Sequence, residues 1–308
     1  MARKRGRGSF VRSTLRALRA NEPRPLFHAM DPRPSYLRVL LTFARNSLVR
    51  DMTFRANFII ETVSSMSWVF MNLGFYILIF SYTPSIGAGE TGWTKHQFFV
   101  FLATTLLINS IVHAFFMTNA DEFSELIRTG SLDFVLLKPM DTQFLVSFKR
   151  VQWSALGNFV FGLCLLGYSL AHIEHTPGLL QILLYPVYVG CGVALFYSLM
   201  LVLASLSVWL GRNQTLYNFW FYITNFSRYP MEIYRGTYGT PLRLFFTFVI
   251  PVLVVVNVPA RLLVRPLEPR SPEDWLLPAF AIFATLGSLA ASRWVFNRAL
   301  LNYRSASS

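Results

Sequence analysis

Apolar runs of about 20 residues or more recur between Asn57 and Phe296. A helix needs about 20 such residues to cross the hydrocarbon core of a bilayer, and its backbone polar groups must be paired within the segment. Only 14% of the residues are charged, against roughly 25% in soluble domains. The runs therefore predict an all-α polytopic membrane protein. They exclude a collagen, a disulfide scaffold and a disordered chain.

Basic residues are concentrated near the start of the chain. The formal net charge is +13, and much of it comes from residues 1–55. Basic flanks of membrane helices stay in the cytoplasm, and the chain also ends in a basic stretch with Arg298 and Arg304. Both termini are therefore expected in the cytoplasm of a multi-pass protein of the cytoplasmic (inner) membrane. An even number of crossings follows from this orientation.

Residues 1–34 are predicted to form a basic cytoplasmic tail, and residues 35–308 the transmembrane domain. No apolar stretch of the signal-peptide type precedes Asn57. The tail suits either a nucleic-acid arm or contact with the lipid bilayer. We favour lipid, because each Lys or Arg near an anionic surface gains about 1 kcal/mol there, and we expect no nucleic-acid partner. Ser35 is a candidate N-cap for a following helix that should lie in the membrane interface.

Six transmembrane helices are predicted, and the fifth is ambiguous. Asn213 to Tyr229 and Leu242 to Val264 are both apolar enough to enter the membrane. Hydropathy favours the later segment, but Pro251 and Pro259 break it, and it could instead enter and leave on one side. The other five spans run from about Asn57 to Phe80, Phe98 to Met117, Trp153 to Ile173, Leu179 to Leu210 and Trp275 to Phe296.

Polar side chains recur at helical spacing along the first three spans, so in each span they share one face. These side chains either form hydrogen bonds between helices or line a substrate path. Glu61 is the exception, because a carboxylate within a membrane segment is a functional candidate by default; alternatively, it reaches the surface or pairs with the interface helix. The candidate path residues are Glu61, Ser65, Asn72, Asn109, His113 and Asn158.

The longest cytoplasmic loop, Thr118 to Arg150, has signals for ordered structure. Asn119 with Glu122 resembles a capping box, and Gly130 is a natural C-cap, so a separate helix is predicted from about Ala120 to Thr129. The apolar residues of the following segment either rest on the membrane or bind a protein partner, which we favour. These residues are Phe134, Val135, Leu136 and Leu137, and Asp141 is expected to cap the next helix.

No catalytic constellation is present, so the chain is not predicted to be an enzyme. Gly87, Gly92 and Lys95 vaguely resemble a phosphate loop, but Trp93 stands where the lysine must follow the second glycine. No GxSxG or HExxH motif occurs. His172, Glu174 and His175 have no further ligands nearby, so no metal site is predicted.

The order of the elements and three segments resemble the permease subunits of ABC-2 type exporters, most closely a less characterised ABC-2 permease group. The resemblance spans about Tyr36 to Tyr303. Its most specific segment is LIRTGSLDFVLLKPMDTQFLVSF at Leu126 to Phe148. FSRYPMEIY at Phe226 to Tyr234 and FVIPVLVVVNVPARLL at Phe248 to Leu263 strengthen it.

The resemblance implies an ATP-driven exporter in which two permease subunits, identical or related, form the path and two separate ABC ATPase subunits supply the force. No cofactor would bind this chain, and ATP with Mg would bind the ATPase. A self-sufficient channel or secondary transporter is the alternative; it would use deep ionisable residues or inverted repeats, and only one shallow carboxylate occurs. The implied ATPase-coupling residues are Glu122, Phe123, Glu125, Arg128, Leu136 and Lys138.

The resemblance also implies a fold with an N-terminal interfacial helix, a cytoplasmic coupling helix and an outer re-entrant hairpin before the last span. In this arrangement Asn213 to Tyr229 is the fifth crossing. It conflicts with the charge rule, because six arginines are then outside: Arg228, Arg235, Arg243, Arg261, Arg265 and Arg270.

Overall fold

The computed structural model describes residues 35–87, 92–173, 175–210, 214–266 and 272–303. The predicted basic tail, residues 1–34, lies outside the described residues. Leu40–Ser308 form one compact unit. Of the second unit the described residues are 35–39, and residues 36–39 begin the first helix.

The described chain is largely helical. It begins with α1 (Tyr36–Thr53) and α2 (Arg55–Tyr82), followed by the strands β1 (Ser85–Ile86) and β2 (Trp93–Thr94), which pair antiparallel. Next come α3 (Lys95–Val112), a π-helix (His113–Met117), α4 (Thr118–Arg128), α5 (Leu132–Leu136) and α6 (Thr142–Phe148). A 3₁₀ turn (Trp153–Ala155) then leads into α7 (Leu156–Ala171), which is followed by α8 (Leu179–Leu210).

The remaining part contains four helices. These are α9 (Gln214–Asn225), α10 (Gly236–Leu244), α11 (Val252–Val264) and α12 (Pro272–Asn302). Short 3₁₀ turns at Phe226–Arg228 and Met231–Ile233 follow α9, and a π-helix at Phe245–Val249 follows α10. The predicted all-α polytopic fold is confirmed.

Five helices of the described chain are long and apolar enough to span a membrane. They are Arg55–Tyr82, Lys95–Arg128, Trp153–Ala171, Leu179–Leu210 and Trp275–Asn302. The five predicted spans fall on them. The second is longer than predicted, because the π-helix joins α3 and α4 into a single helix of 34 residues.

The hydrophobic core is built around α3, α8 and α11. Phe101, Ile108, Phe196 and Leu253 are fully buried there. By contrast, α2 is largely exposed, with Val69 and Tyr76 its buried residues. In a membrane such a face contacts lipid or another protein chain.

The helical bundle has two ends. We call the end at which α4 lies the α4 end. We call the opposite end, at which α11 finishes, the hairpin end. α8 begins at the hairpin end, where the Gln181 side chain donates to the carbonyls of Leu262 (2.6 Å) and Arg265 (2.7 Å) at the end of α11. α12 finishes at the α4 end, where Phe296 contacts Phe123 of α4.

Contacts along α9 show that residues 218–232 run toward the hairpin end. Trp220 packs on Phe196 in the middle of α8, at 5.3 Å between ring centroids. The backbone amide of Met231 donates to Asn257 of α11 at 2.9 Å, and Glu232 pairs with Arg261. This course agrees with the earlier of the two candidate fifth crossings.

The segments Gly236–Val249 and Val252–Val264 form a helix pair bent by 89° at Ile250 and Pro251. The pair begins four residues after Glu232 and ends beside it at Arg265, so both of its ends lie at the hairpin end. Pro251 has no amide hydrogen and lies at the bend, as predicted. The predicted break at Pro259 is wrong, because Pro259 lies within the continuous helix α11. By length and composition the pair is either a broken span or a re-entrant hairpin, and the common position of its two ends agrees with the hairpin.

Helices α8 and α11 approach most closely at Gly192. A Cβ atom there would lie 2.8 Å from the carbonyl oxygen of Val255 and 2.9 Å from Cδ1 of Ile108. Gly190, two residues earlier and exposed, has open space around the same position. Gly190 therefore lies on a face of α8 that points away from the core.

Gly192→Ala is expected to lower the free energy of unfolding by about 1–3 kcal/mol, because the added methyl group overpacks the contact between α8 and α11. Gly190→Ala is the matched control and should leave stability unchanged or slightly raised. Denaturant unfolding in detergent measures both. Equal stability of the two variants would contradict the close contact.

Candidate functional site

The surface at the α4 end is built on α4, α5 and α6. The predicted capping box at its start is wrong, because the π-helix His113–Met117 runs directly into α4 and leaves no helix start there. Asn119 instead joins two segments: its side-chain nitrogen donates to the carbonyl of Arg150 at 2.7 Å, and its oxygen accepts from the Arg150 amide at 2.9 Å.

The π-helix has a structural cause. A π-helix leaves carbonyl groups without their usual partner four residues ahead. The carbonyl of Ala114 accepts from the amide of Gln152 at 2.8 Å, and the carbonyl of Phe115 accepts from the Asn119 side chain at 2.6 Å. Segment 150–152 is thereby fixed to the joint between α3 and α4. The sequence carries no local signal for this tertiary bond.

Helix α1 is tied to the same segment. The hydroxyl of Ser47 accepts from the amide of Val151 at 3.1 Å, and the indole of Trp153 donates to the carbonyl of Ala44 at 3.2 Å. Ser47 is the buried residue of α1. The α4 end is therefore a hydrogen-bonded frame that includes α1, the π-helix and the start of the third span.

Two of the predicted coupling residues face inward. Glu122 forms ion pairs with Lys149 and, at 3.0 Å, with Arg150. Phe123 is 2% exposed and packs on Phe296 of α12, at 5.5 Å between ring centroids. These two residues position α4 against the rest of the fold.

The other four predicted coupling residues lie at the surface. Glu125 and Arg128 form an exposed ion pair on α4, and such pairs contribute little to stability. Leu136 and Lys138 are exposed on α5 and just after it. In the same segment, Phe134 and Leu137 are 72% and 81% exposed, whereas Val135 is half-buried. We call these seven the coupling surface: Glu125, Arg128, Phe134, Leu136, Leu137, Lys138 and Pro139.

Helix α6 begins at Asp141, as predicted: its carboxylate accepts from the amide of Phe144 at 3.0 Å. Gly130 has the positive φ of 71° expected after the end of α4. Arg293 of α12 donates to both oxygens of Asp141 and to Gln143. The hydrogen bond from Arg293 holds the pKa of Asp141 below its usual value. Helices α6 and α12 are thus joined by an ion pair.

Among the candidate path residues, Glu61 contacts a neighbouring span. Its carboxylate accepts from Ser154 at the start of the third span (3.1 Å) and from Asn57 of its own helix (3.0 Å). Ser65 and Asn72 instead donate to carbonyls of α2, as side chains on a single helix often do.

The remaining path residues lie on the second and third spans. Asn109 is half-buried on α3, and His113 is exposed at the first position of the π-helix. The Oδ1 atom of Asn158 is buried and has no hydrogen-bond partner among the described residues. Among the hydrogen bonds given above, the one that joins a path residue to another span is that between Ser154 and Glu61.

The hairpin end contains a buried ion cluster that the sequence did not indicate. Glu232 is 2% exposed and accepts from Arg261 (2.6 Å) and Arg265 (3.1 Å) through one oxygen. Burial is the largest single influence and raises the pKa of Glu232, but the charge of Arg261 and the hydrogen bonds to the carboxylate together outweigh it, so the pKa lies below its usual value. Two of the arginines that conflict with the charge rule are therefore compensated locally.

Comparison with known proteins gives one match. A family described as ABC-2 family transporter protein matches residues 66–307. No curated protein and no solved structure matches the chain. The matched region includes the coupling surface and the hairpin end, and it begins within α2.

Proposed function

Because the chain belongs to the ABC-2 family of transporter proteins, the membrane components of ABC transporters, we propose that it is the permease subunit of an ATP-driven exporter. A separate ABC ATPase subunit supplies the force and carries the ATP and Mg. The protein lies in the cell inner membrane, and both termini and the α4 end face the cytoplasm. The transport pathway crosses from the α4 end to the hairpin end.

The coupling surface carries this proposal. Phe134 and Leu137 expose large apolar side chains in a region expected in water, and such exposed apolar residues mark sites of interaction with another protein. Charged residues of both signs surround them, as at the rim of a protein interface. α4 is continuous with the second span, so an ATPase bound here acts directly on a transmembrane helix.

The path itself is proposed to form between two permease chains. Asn57, Glu61 and His113 are exposed on a single chain, although such polar groups are costly against lipid. The core of α3, α8 and α11 is closely packed at Gly192. A second permease subunit, identical or related, would cover the polar faces.

Replacing Phe134 and Leu137 by aspartate is expected to release the ATPase subunit, because each large apolar contact at an interface centre contributes about 2 kcal/mol or more. The tagged chain is purified gently from its native membrane, and the proteins that co-purify are identified by mass. ATP hydrolysis is then assayed. A Walker-motif subunit should accompany the unaltered chain and be lost from the variant.

Leu301→Asp is the matched control, because Leu301 is 78% exposed at the end of α12, outside the coupling surface. It should retain the ATPase. A chain that purifies alone and transports in liposomes without ATP would instead establish the channel or secondary-transporter alternative.

A further inference from the structure

A cleft of about 340 Å³ opens beside the junction of α1 and α2. Its charged lining includes Arg50 and Asp51 from α1, Glu61 from α2 and Arg150 from the segment fixed to the π-helix. Its volume falls in the range of small-ligand sites, roughly 300–1,000 Å³. Two arginines and two carboxylates therefore face one cleft.

Glu61 is a carboxylate with neutral partners. Asn57 and Ser154 each donate one hydrogen bond to it, and within the described part of the chain no Lys, Arg or His forms an ion pair with it. It lies six residues into α2, near the start of that span. A carboxylate within a membrane segment is costly without a counter-charge, so the cleft offers a place for a cation from outside the described chain.

The arginines offer the opposite charge. Arg50 approaches Asp51, its neighbour in sequence, at 3.4 Å. Arg150 pairs with Glu122 through Nε at 3.0 Å. A guanidinium has five N–H donors, and its planar fork suits phosphate oxygens. Both arginines therefore retain donors for a phosphate group.

The cleft is open beside apolar side chains. Phe54, at the junction between α1 and α2, is 67% exposed, and Phe58 is half-buried one turn later. Both line the cleft. Acyl chains of a molecule held in the cleft can pack against these rings.

We infer that this cleft binds the headgroup of an amphiphile that carries both a primary ammonium and a phosphate. The ammonium contacts Glu61, and the phosphate contacts Arg50 and Arg150. Such an amphiphile is either a resident bilayer lipid or the exported substrate. The inference rests on the proposed function only for the membrane position of the cleft, since binding requires neither ATP nor the ATPase.

Native mass spectrometry of the delipidated full chain, incubated with short-chain phosphatidylethanolamine or phosphatidylglycerol, tests the site. Phosphatidylethanolamine should bind about tenfold more tightly, as one charge-assisted hydrogen bond predicts. Glu61→Gln should abolish this preference and leave phosphatidylglycerol binding unchanged, because the glutamine oxygen still accepts from Asn57 and its amide nitrogen can donate to the hydroxyl of Ser154. Arg50→Gln should weaken both lipids.

Asp121→Asn is the matched control, because it removes one negative charge from an exposed position of α4 outside the cleft. It should keep the preference. Equal binding of the two lipids by the unaltered chain, or a preference that survives Glu61→Gln, would overturn the inference.

A second experiment distinguishes a resident bilayer lipid from the exported substrate. Fluorescent phosphatidylethanolamine is placed in liposomes with the complete complex, and ATP is added. Transfer to the opposite leaflet identifies the substrate, whereas retention on the protein identifies a resident lipid. A complex that hydrolyses ATP while the chain shows no lipid preference would remove the inference and leave the exporter proposal intact.

Discussion

Glu232→Ala is expected to lower the free energy of unfolding by about 3–5 kcal/mol, the cost of leaving a buried charge without its partner. Glu232 accepts from both Arg261 and Arg265, and its side chain is 1% exposed. Without it, Arg261 is left beside Arg265 with no counter-charge from Glu232. The re-entrant hairpin should then separate from the segment that follows α9.

Denaturant unfolding in detergent measures this loss. The double variant Glu232→Leu with Arg261→Met is the control, because apolar residues of similar volume often replace a buried ion pair at little cost. It should be more stable than Glu232→Ala. A loss below about 1 kcal/mol for Glu232→Ala, the upper range of exposed pairs, would contradict a structural role for the cluster.

The contribution of Glu232 to the free energy of unfolding should depend on pH. The pKa of Glu232 is lowered in the folded protein, so its contribution is complete above the pKa of an unfolded glutamate, about 4.3. The contribution is lost as the pH falls through the lower folded pKa. The stability difference between the unaltered chain and Glu232→Gln should therefore shrink below about pH 4.

Phe123→Ala is expected to lower the free energy of unfolding of the α4 end by about 3–5 kcal/mol, the usual range for a buried phenylalanine. Phe123 packs on Phe296 and belongs to a small cluster that also includes Leu132, Val146 and Leu201. The helix itself should persist, because α4 continues from α3. ATP hydrolysis should continue while transport falls at least about tenfold, as for a contact worth 1.4 kcal/mol.

Hydrogen exchange of the detergent-solubilised chain locates this effect. Protection should fall in α4 and α5 and stay constant in α8 and α11. Phe134→Ala is the control, because Phe134 is exposed and its removal leaves no cavity. Loss of protection along the whole chain would show that Phe123 supports the entire fold rather than the α4 end.

The spans were predictable because a helix that crosses the bilayer needs about 20 apolar residues, and such runs are visible in a single sequence. Leu179–Leu210 is the same helix in the prediction and in the structure, and Arg55–Tyr82 differs from its prediction by two residues at each end. The signal depends only on local apolar content. α9 is shorter than a span, so hydropathy alone could not choose the fifth crossing.

Tertiary bonds were not predictable from local patterns. Asn119 carries the residue type of a helix cap, but its side chain binds Arg150, 31 residues away. Glu232 and Arg261 are 29 residues apart, and the bend at Pro251 brings them together. Nor did the sequence indicate that Glu122 would pair with Lys149, 27 residues away.

The continuous helix Lys95–Arg128 has a mechanical consequence. At 1.5 Å per residue it is about 50 Å long, about 20 Å more than the hydrocarbon core. In the orientation proposed above, we expect it to act as a lever whose short arm, α4, projects beyond the bilayer. Segment 150–152 is hydrogen-bonded to the π-helix between α3 and α4, so the pivot of the lever is expected there. A small displacement of the short arm is then enlarged at Lys95, without slack from a flexible loop.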